Sequence, residues 1–435
     1  VLVFAAVNLV VLGALTAPVV TGLPILIAGL VPEGERTGVL AFVTVCGAIA
    51  SVVANPVFGM ASDRTPGRFG RRRPWLLGGV VFGFGATVLV LNAGSVAALA
   101  AGWVLAQTAY NASLAAVAAL LGDQVEERRR ASASGIFGAA AFLGTLPPLA
   151  LAALVPDRLD VVLLTMPTAA LIVGVVACLA IRDAPLAEVR GTGLTGSARR
   201  LGLRGRELGL REPRRHAPRW HALRGHRLFA WVWLQRFVLQ LAFSLVTTFT
   251  LYFVAVRFML SPEEASPVVA ITTLVGGAGI VLSALITGFV ASRRGRYGPF
   301  IVAASLGLAG AAALRALAPD VPALWVGAAL GGTALGAFYA VDLALALRAV
   351  PSGRSGTFLG VFNVAETIPQ AIAPAIALGL LAVSGTDPVT QTAENYTALY
   401  LVAGGVALLA LLPLPFLRSI LTREAPAGHE RPALR

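Results

Sequence analysis

The sequence predicts an all-α membrane protein of twelve transmembrane helices, arranged as two pseudo-symmetric six-helix bundles. Three observations carry that expectation. Of 435 residues, 57% are hydrophobic and 13% are charged, about half the charged share of an ordinary soluble domain. The apolar residues gather into runs long enough to cross a hydrocarbon core of about 30 Å as helix. Two unrelated motifs of the first half return in the second at nearly the same offset.

In chain order the runs lie at 2–30, 38–60, 75–93, 96–121, 132–155, 161–181, 229–256, 267–291, 299–317, 321–347, 355–383 and 397–417. Leu, Ala, Val and Gly dominate them. No ten-residue alternation is present, which excludes a transmembrane β-barrel, and the hydrophobicity excludes disorder. The first run is too long for a signal-peptide core and has no basic leader, so it reads as a true first helix. The longest polar gap gives the domain plan: an N-terminal bundle at 1–181, a basic linker at 182–228, a C-terminal bundle at 229–418 and a tail at 419–435. The linker carries twelve Arg against Asp183, Glu188, Glu207 and Glu212, a net +8. Residues 197–212 read either as a basic helix on an anionic leaflet, favoured by about 1 kcal/mol per Arg near the surface, or as a solvated tether.

The net charge is +13, and all 34 basic residues are Arg. Twenty-nine of them fall in the gaps at 61–74, 122–131, 182–228, 292–298 and 348–354 and in the tail. Arg36, Arg158, Arg257 and Arg315 occupy the opposite set, and Arg236 lies inside a run. The positive-inside rule then puts the first set and both termini in the cytoplasm, with the cell membrane as the location. A charge that tracks loops in this way is no nucleic-acid footprint. Cys46 and Cys178 sit in apolar runs, so neither a disulfide framework nor a Cys metal site is expected. His216, His221, His226 and His429 read as solvated residues, and no metal or cofactor is implied. No HExxH, GxSxG or P-loop occurs, which argues against a membrane enzyme and against ATP-driven pumping by this chain alone. Asn395-Tyr396-Thr397 is a formal glycosylation sequon that reads as a chance match.

The internal repeat is the sharper signal. Gly59-Met60-Ala61-Ser62-Asp63-Arg64 closes the second run and Gly288-Phe289-Val290-Ala291-Ser292-Arg293 closes the eighth, 229 residues later. After the fourth run come Asp123, an Arg-bearing turn and Ser134-Gly135-Ile136-Phe137-Gly138. After the tenth come Asp342, an Arg-bearing turn and Ser355-Gly356-Thr357-Phe358-Leu359-Gly360. This pattern implies parallel six-helix repeats related by an axis along the membrane normal, the plan of carriers that rock about a site between their halves.

The Gly59-x-x-x-Asp63-Arg64 string resembles the loop signature of the major facilitator superfamily. Its continuation Arg68-Phe69-Gly70-Arg71-Arg72-Arg73-Pro74-Trp75, together with Gly360-Val361-Phe362-Asn363, Pro369-Gln370 and Ala373-Pro374, is similar to the sucrose/proton symporter and glycoside–pentoside–hexuronide symporter branch. The resemblance implies a monomeric secondary active transporter for a small solute, with proton or sodium coupling left open. It also implies a cytoplasmic gate at Gly59, Asp63, Arg64, Arg71, Arg72, Arg73, Asp123 and Arg293. In that gate Asp63 meets the positive N-terminal end of the eleventh helix, and the Arg residues pair with Asp123, Glu126 or Glu127. The plain alternative is that these Arg residues only fix topology. One departure stands out: the first two runs offer Asn8 and Asn55 where sugar symporters of the family often have an acid, which puts coupling through the first half in doubt.

Polar residues inside the runs mark the cavity, since each costs free energy unless paired or wet. Trp103, Gln107, Tyr110 and Asn111 stripe the fourth run. Arg236, Gln240, Ser244 and Thr247 stripe the seventh, Tyr339 and Asp342 lie in the tenth, and Asn363, Glu366 and Gln370 stripe the eleventh. The resemblance places the first, fourth, seventh and tenth helices around a central cavity, and the fourth, seventh and tenth are among those that carry stripes. Arg236 is expected to pair with Asp342 or Glu366, leaving the other carboxylate to take a proton. A structural ion pair, or a solvated Asp342 at a helix end, is the plainer reading. Gly47, Ser51, Asn55 and Gly59, like Gly279, Ser283, Thr287 and Ala291, read as packing seams. The amide and aromatic set suits a sugar-like solute. Drug or metabolite efflux, and a non-transporting sensor on a transporter scaffold, are the alternatives.

Overall fold

The computed structural model describes residues 1–66, 69–155, 157–181, 183, 227–350, 354–383 and 385–422. The four His and the basic helix expected at 197–212 lie outside them. So does most of the linker and of the tail.

The described chain is helical throughout, and its helices coincide with the twelve apolar runs. They are α1 (Leu2–Ala17), α2 (Leu23–Leu30), α3 (Glu33–Arg64), α4 (Arg73–Leu91), α5 (Val96–Gln124), α6 (Arg130–Leu143), α7 (Leu146–Leu154) and α8 (Leu159–Ala180) in the first half. The second half holds α9 (Arg227–Thr248), α10 (Thr250–Phe258), α11 (Pro262–Arg294), α12 (Gly298–Ala316), α13 (Val321–Ala349), α14 (Ser355–Val383), α15 (Tyr396–Leu409) and α16 (Leu414–Leu421). Ten helical stretches are individually long and apolar enough to cross a membrane, and α15 with α16 makes a further span bent by 51°. The first span is composite: a wide π turn at Pro18–Gly22 joins α1 to α2.

Four spans are thus broken, each for a chemical reason. Pro18 and the Pro147-Pro148 and Pro413/Pro415 pairs remove backbone donors and crowd the preceding turn. At α9–α10 the hydroxyls of Thr247, Thr248 and Thr250 fold back onto the carbonyls of Phe243, Ser244 and Val246. Such back-bonding competes with the helix ladder and bends it. Asn395 of the sequon is buried and accepts the Ala398 N–H at 2.8 Å, so it caps α15.

Within the first half α4 packs on α5 and α8, and α1 on α8. In the second, α11 and α12 pack on α13, and α9 on α14 and α15. Across the halves α3 lies against α14, and α6 against α11 and α13. The α3–α14 and α6–α11 pairs are the ones a two-fold exchange of repeats would interconvert. Both crossings run close where side chains are absent. A Cβ at Gly59 would stand 2.1 Å from the Gly356 carbonyl oxygen, and one at Gly135 would stand 2.1 Å from that of Ala284. Backbone contact of this kind is how helices associate where no water drives them together. Both approaches lie toward the face that carries the Arg-rich loops.

A larger residue at either glycine should therefore pry that face apart. In a Cys46→Ser/Cys178→Ser background, Gly59→Leu or Gly135→Leu should raise maleimide labelling of a cysteine at Ala133, which is 1% exposed. Labelling unchanged in both would mean the seams are not what holds the face shut.

Candidate functional site

Two polar assemblies stand out, one sealing the Arg-rich face and one in the wall of a cavity between the halves.

The seal is built on Arg72, whose side chain is fully buried. Its NH2 donates to Asp63 Oδ1 at 2.6 Å and to Ser355 Oγ at 2.9 Å, its NH1 to Ser62 Oγ at 2.5 Å, and its Nε to Asp123 Oδ2 at 3.2 Å. Arg71 NH2 reaches Asp123 Oδ2 at 2.7 Å, and Asp123 Oδ1 accepts from Ser355 Oγ at 2.7 Å. Asp63 spans to the other half. It accepts the backbone N–H groups of Gly356 at 3.1 Å and Thr357 at 2.6 Å, and the Thr357 hydroxyl at 2.6 Å. These are free donors of the first turn of α14, where an anion is favoured. Asp183 Oδ2 holds the Arg72 and Arg73 N–H groups at 2.5 and 3.0 Å. A cross-half ion pair joins Arg348 Nε to Glu127 at 3.1 Å.

The second repeat carries a neutral version. Ser292 stands where Asp63 stands in the first, and its hydroxyl accepts the Ser132 N–H at the start of α6 at 2.8 Å.

The gate residues expected from sequence divide accordingly. Gly59, Asp63, Arg71, Arg72 and Asp123 come together. Arg64 does not: it lies exposed at the end of α3 and makes no ion pair among the described residues. The helix ends there, and its side chain leaves the seam while Arg72 reaches back into it. Arg73 contributes its backbone N–H rather than its guanidinium. Arg293 stacks over Phe289, 4.2 Å from the ring centroid. Ser62, Ser355 and Asp183 were not anticipated. Ser355 had a signal, because it occupies the repeat position of Ser134.

The cavity has a volume of about 1120 Å³ and draws its wall from both halves, ample for a small organic solute. Arg236 and Glu366 are its charged lining residues among those described. Arg236 donates to Asp342 and to Glu366 at once, and its guanidinium lies 4.2 Å from the Phe362 ring centroid. The two carboxylates are not equivalent. The Asp342 side chain is 3% exposed and sits behind the wall, whereas that of Glu366 is 33% exposed and faces the space. Asp342 is therefore no solvated group at a helix end. Tyr339 donates to Gln240 Oε1 at 3.2 Å and to Glu366 Oε1 at 3.4 Å.

On the opposite wall Asn111 Oδ1 accepts from Asn55 Nδ2 at 2.5 Å and from Ser51 Oγ at 3.1 Å, and Asn111 Nδ2 donates to Gln107 Oε1 at 3.1 Å. Asn363 Nδ2 crosses from the second half to Asn55 Oδ1 at 3.1 Å. Asn8 bonds the Phe137 carbonyl oxygen at 2.9 Å. Trp103 Nε1, Ser134 Oγ and Arg236 Nε, all on lining residues, are buried with no hydrogen-bond partner.

Trp103, Gln107, Asn111, Tyr339, Asn363 and Gln370 thus line the cavity, and Gln240 joins it through Tyr339. Tyr110 and Ser244 do not. Tyr110 points between helices of the first half, its ring filling the space beside Gly83 and its hydroxyl 3.3 Å from Thr87 Oγ1. Ser244 is buried, just over two turns beyond Arg236, where its helix presents Phe243 to the cavity instead. The sequence reading missed Asn55 and Ser51, which it assigned to a packing seam.

A family model described as Major Facilitator Superfamily matches residues 38–374. No curated protein matches the sequence. Among solved structures, the proton:xylose symporter XylE bound to 6-bromo-6-deoxy-D-glucose aligns with a TM-score of 0.71 at 14% identity, covering 95% of each chain. The human organic anion transporter MFSD10 (TETRAN) aligns at 0.68 and 18% identity, over 95% of this chain and 97% of that one. An outward-facing bacterial homologue of the iron transporter ferroportin aligns at 0.67 and 17% identity, over 96% and 98%. At these identities the likeness is one of fold.

Arg72→Ala should leave Asp63 buried without its charge partner, a loss of about 3–5 kcal/mol for such pairs, read as a lower unfolding midpoint in detergent. Arg64→Ala should leave the midpoint where it is. Equal midpoints for the two variants would return the loop to a purely topological role.

Proposed function

Because the chain belongs to the Major Facilitator Superfamily, whose members are multi-pass membrane transporters of small solutes and not enzymes, we propose that it carries an uncharged, hydroxyl-rich solute of the sugar class by alternating access. The halves that rock are residues 1–181 and 229–418, joined by the linker at 182–228. The Arg-rich face, with both termini, is cytoplasmic and the membrane is the cell membrane. The protein works as a monomer.

The observation that carries this reading is the cavity wall. Its amides, Gln107, Asn111, Asn363 and Gln370, present donors and acceptors side by side, the pattern that solute hydroxyls can meet one for one. Its charge gives an anion no favour: Arg236 is paired with Glu366 in the lining and with Asp342 behind it, so no unmatched positive charge faces the space. A mobile proton follows from the same group. One guanidinium serves two carboxylates, and Glu366 faces the solute. A solute hydroxyl that draws Glu366 off Arg236 frees a carboxylate that faces the cavity, where a coupling proton can reach it. The apolar part of the wall, with Ile49, Phe142, Phe243 and Phe362, supports a second reading, export of an amphipathic metabolite.

Counterflow in proteoliposomes with saccharides and with lipophilic cations tests the solute class. A labelled saccharide exchanged against the same unlabelled sugar is the expected result. Exchange of cations alone would move the assignment to efflux. Glu366→Gln should abolish uphill uptake driven by a pH gradient and retain counterflow. Uphill uptake at the wild-type rate would remove Glu366 as the proton carrier, and uptake driven by a sodium gradient instead would replace the proton.

A further inference from the structure

The α3–α14 seam is a ladder of contacts leading from the Arg-rich face to the cavity. Its outermost rung is the Asp63 carboxylate on the Gly356 and Thr357 N–H groups. Next comes Gly59 against Gly356, and then Gly360, where an added Cβ would lie 2.4 Å from the Asn55 carbonyl oxygen. The innermost rung is the bond from Asn363 Nδ2 to Asn55 Oδ1 at 3.1 Å. Among the described residues of this ladder, Asn55 and Asn363 line the cavity, while Asp63, Gly59, Gly356 and Gly360 do not.

That inner rung differs from the others in kind. It joins two neutral side-chain amides, whose donor and acceptor a hydroxyl can replace one for one. The Asp63 rung is charge-assisted and stronger. Asn55 is also the point where the cross-half bond meets the amide chain Asn111–Gln107. Ser134 lines the same space. A solute reaching the floor of the cavity therefore meets an exchangeable bond that ties the two halves together.

We propose that the Asn55–Asn363 bond is a tie that the solute displaces, and that Asn55 is the residue through which occupancy is sensed. This rests on the transport reading given above. A solute with adjacent hydroxyls takes over the acceptor on Asn55 and the donor on Asn363. The seam then loses its innermost rung, and the glycine and Asp63 rungs below it part. A solute without such hydroxyls leaves the tie intact and the Arg-rich face closed, however well it fits the apolar wall.

Spin labels at Glu126→Cys and Arg294→Cys, exposed sites flanking the α6–α11 seam, would report the opening in a Cys46→Ser/Cys178→Ser background. The probes are xylose, glucose, maltose, sucrose and tetraphenylphosphonium. In the otherwise unaltered protein the label distance should lengthen with the saccharide that counterflows and stay put with the cation. Asn55→Ala and Asn363→Ala should each populate the long distance without sugar and bind it about tenfold more weakly. The double variant should lengthen the distance no further, as expected for two ends of one bond, and should bind the sugar more weakly than either single variant, since each amide makes its own bond to the solute. Asn363→Ala reaches the bond from the other half should Asn55→Ala fail to fold. Variants that keep the short distance without sugar, or opening driven by the cation, would overturn the tie and leave the transport reading standing. If no saccharide is carried, the assigned solute class fails, and the sugar-free distances of the two variants still decide the role of the bond.

Discussion

A guanidinium buried in a membrane protein must be neutralised and hydrogen-bonded where it stands, and two such groups organise this molecule. Arg72 is held between Asp63 and Asp123, and Arg236 between Asp342 and Glu366. Each draws its carboxylates from two helices of its own half, so each fixes the relative positions of helices that lipid alone would let slide. Removing one partner from such a cluster is far more costly than never having built it. The surroundings of both are accordingly crowded with further donors and acceptors: Ser62, Ser355 and Arg71 around the first, Tyr339 and Gln240 around the second.

The clusters sit at different depths and do different work. Around Arg72 the carboxylates are used up, one on a helix N-terminus of the opposite half and one on Arg71 and Ser355. Nothing in that arrangement faces the cavity. Around Arg236 one carboxylate is enclosed and the other looks into open space. An assembly with every acceptor engaged locks; one with an acceptor exposed to a solute can exchange partners. The proposed division between a seal and a responsive site follows from that difference in saturation, and not from the residue types, which are nearly the same.

The span plan was legible because the bilayer makes length and hydropathy the dominant signals. Runs such as 2–30 and 355–383 match the helices end to end. The breaks inside spans were less so, since threonine back-bonding at 247–250 leaves no mark in hydropathy. Partner choice in the loop was not readable either. Arg64, Arg71, Arg72 and Arg73 are equivalent as letters, and only the path of the chain after α3 decides that Arg72 turns inward. Tyr110 and Asn111 are neighbours in sequence, yet adjacent positions on a helix point about 100° apart. One meets α4 and the other the cavity. Asn55 was hidden by its company: among Gly47, Ser51 and Gly59 a small amide looks like one more packing residue.

The repeat explains why the two seams are alike in shape and unlike in strength. Gly59 and Gly288 both bring a helix against the start of a partner from the other half, and Asp63 and Ser292 both offer an oxygen to that partner's free N–H groups. A hydroxyl gives one neutral bond to Ser132. A carboxylate gives charge-assisted bonds to Gly356 and Thr357 and needs a cation to balance it. Arg72 is that cation, and among the described residues no guanidinium donates to Ser292. The pseudo-symmetric backbone therefore supplies two glycine-lined contacts of similar build, and charge-assisted bonds strengthen the α3–α14 one. Parting of the halves on the Arg-rich face is thereby limited by the α3–α14 seam, the one whose inner end is exposed to whatever fills the cavity.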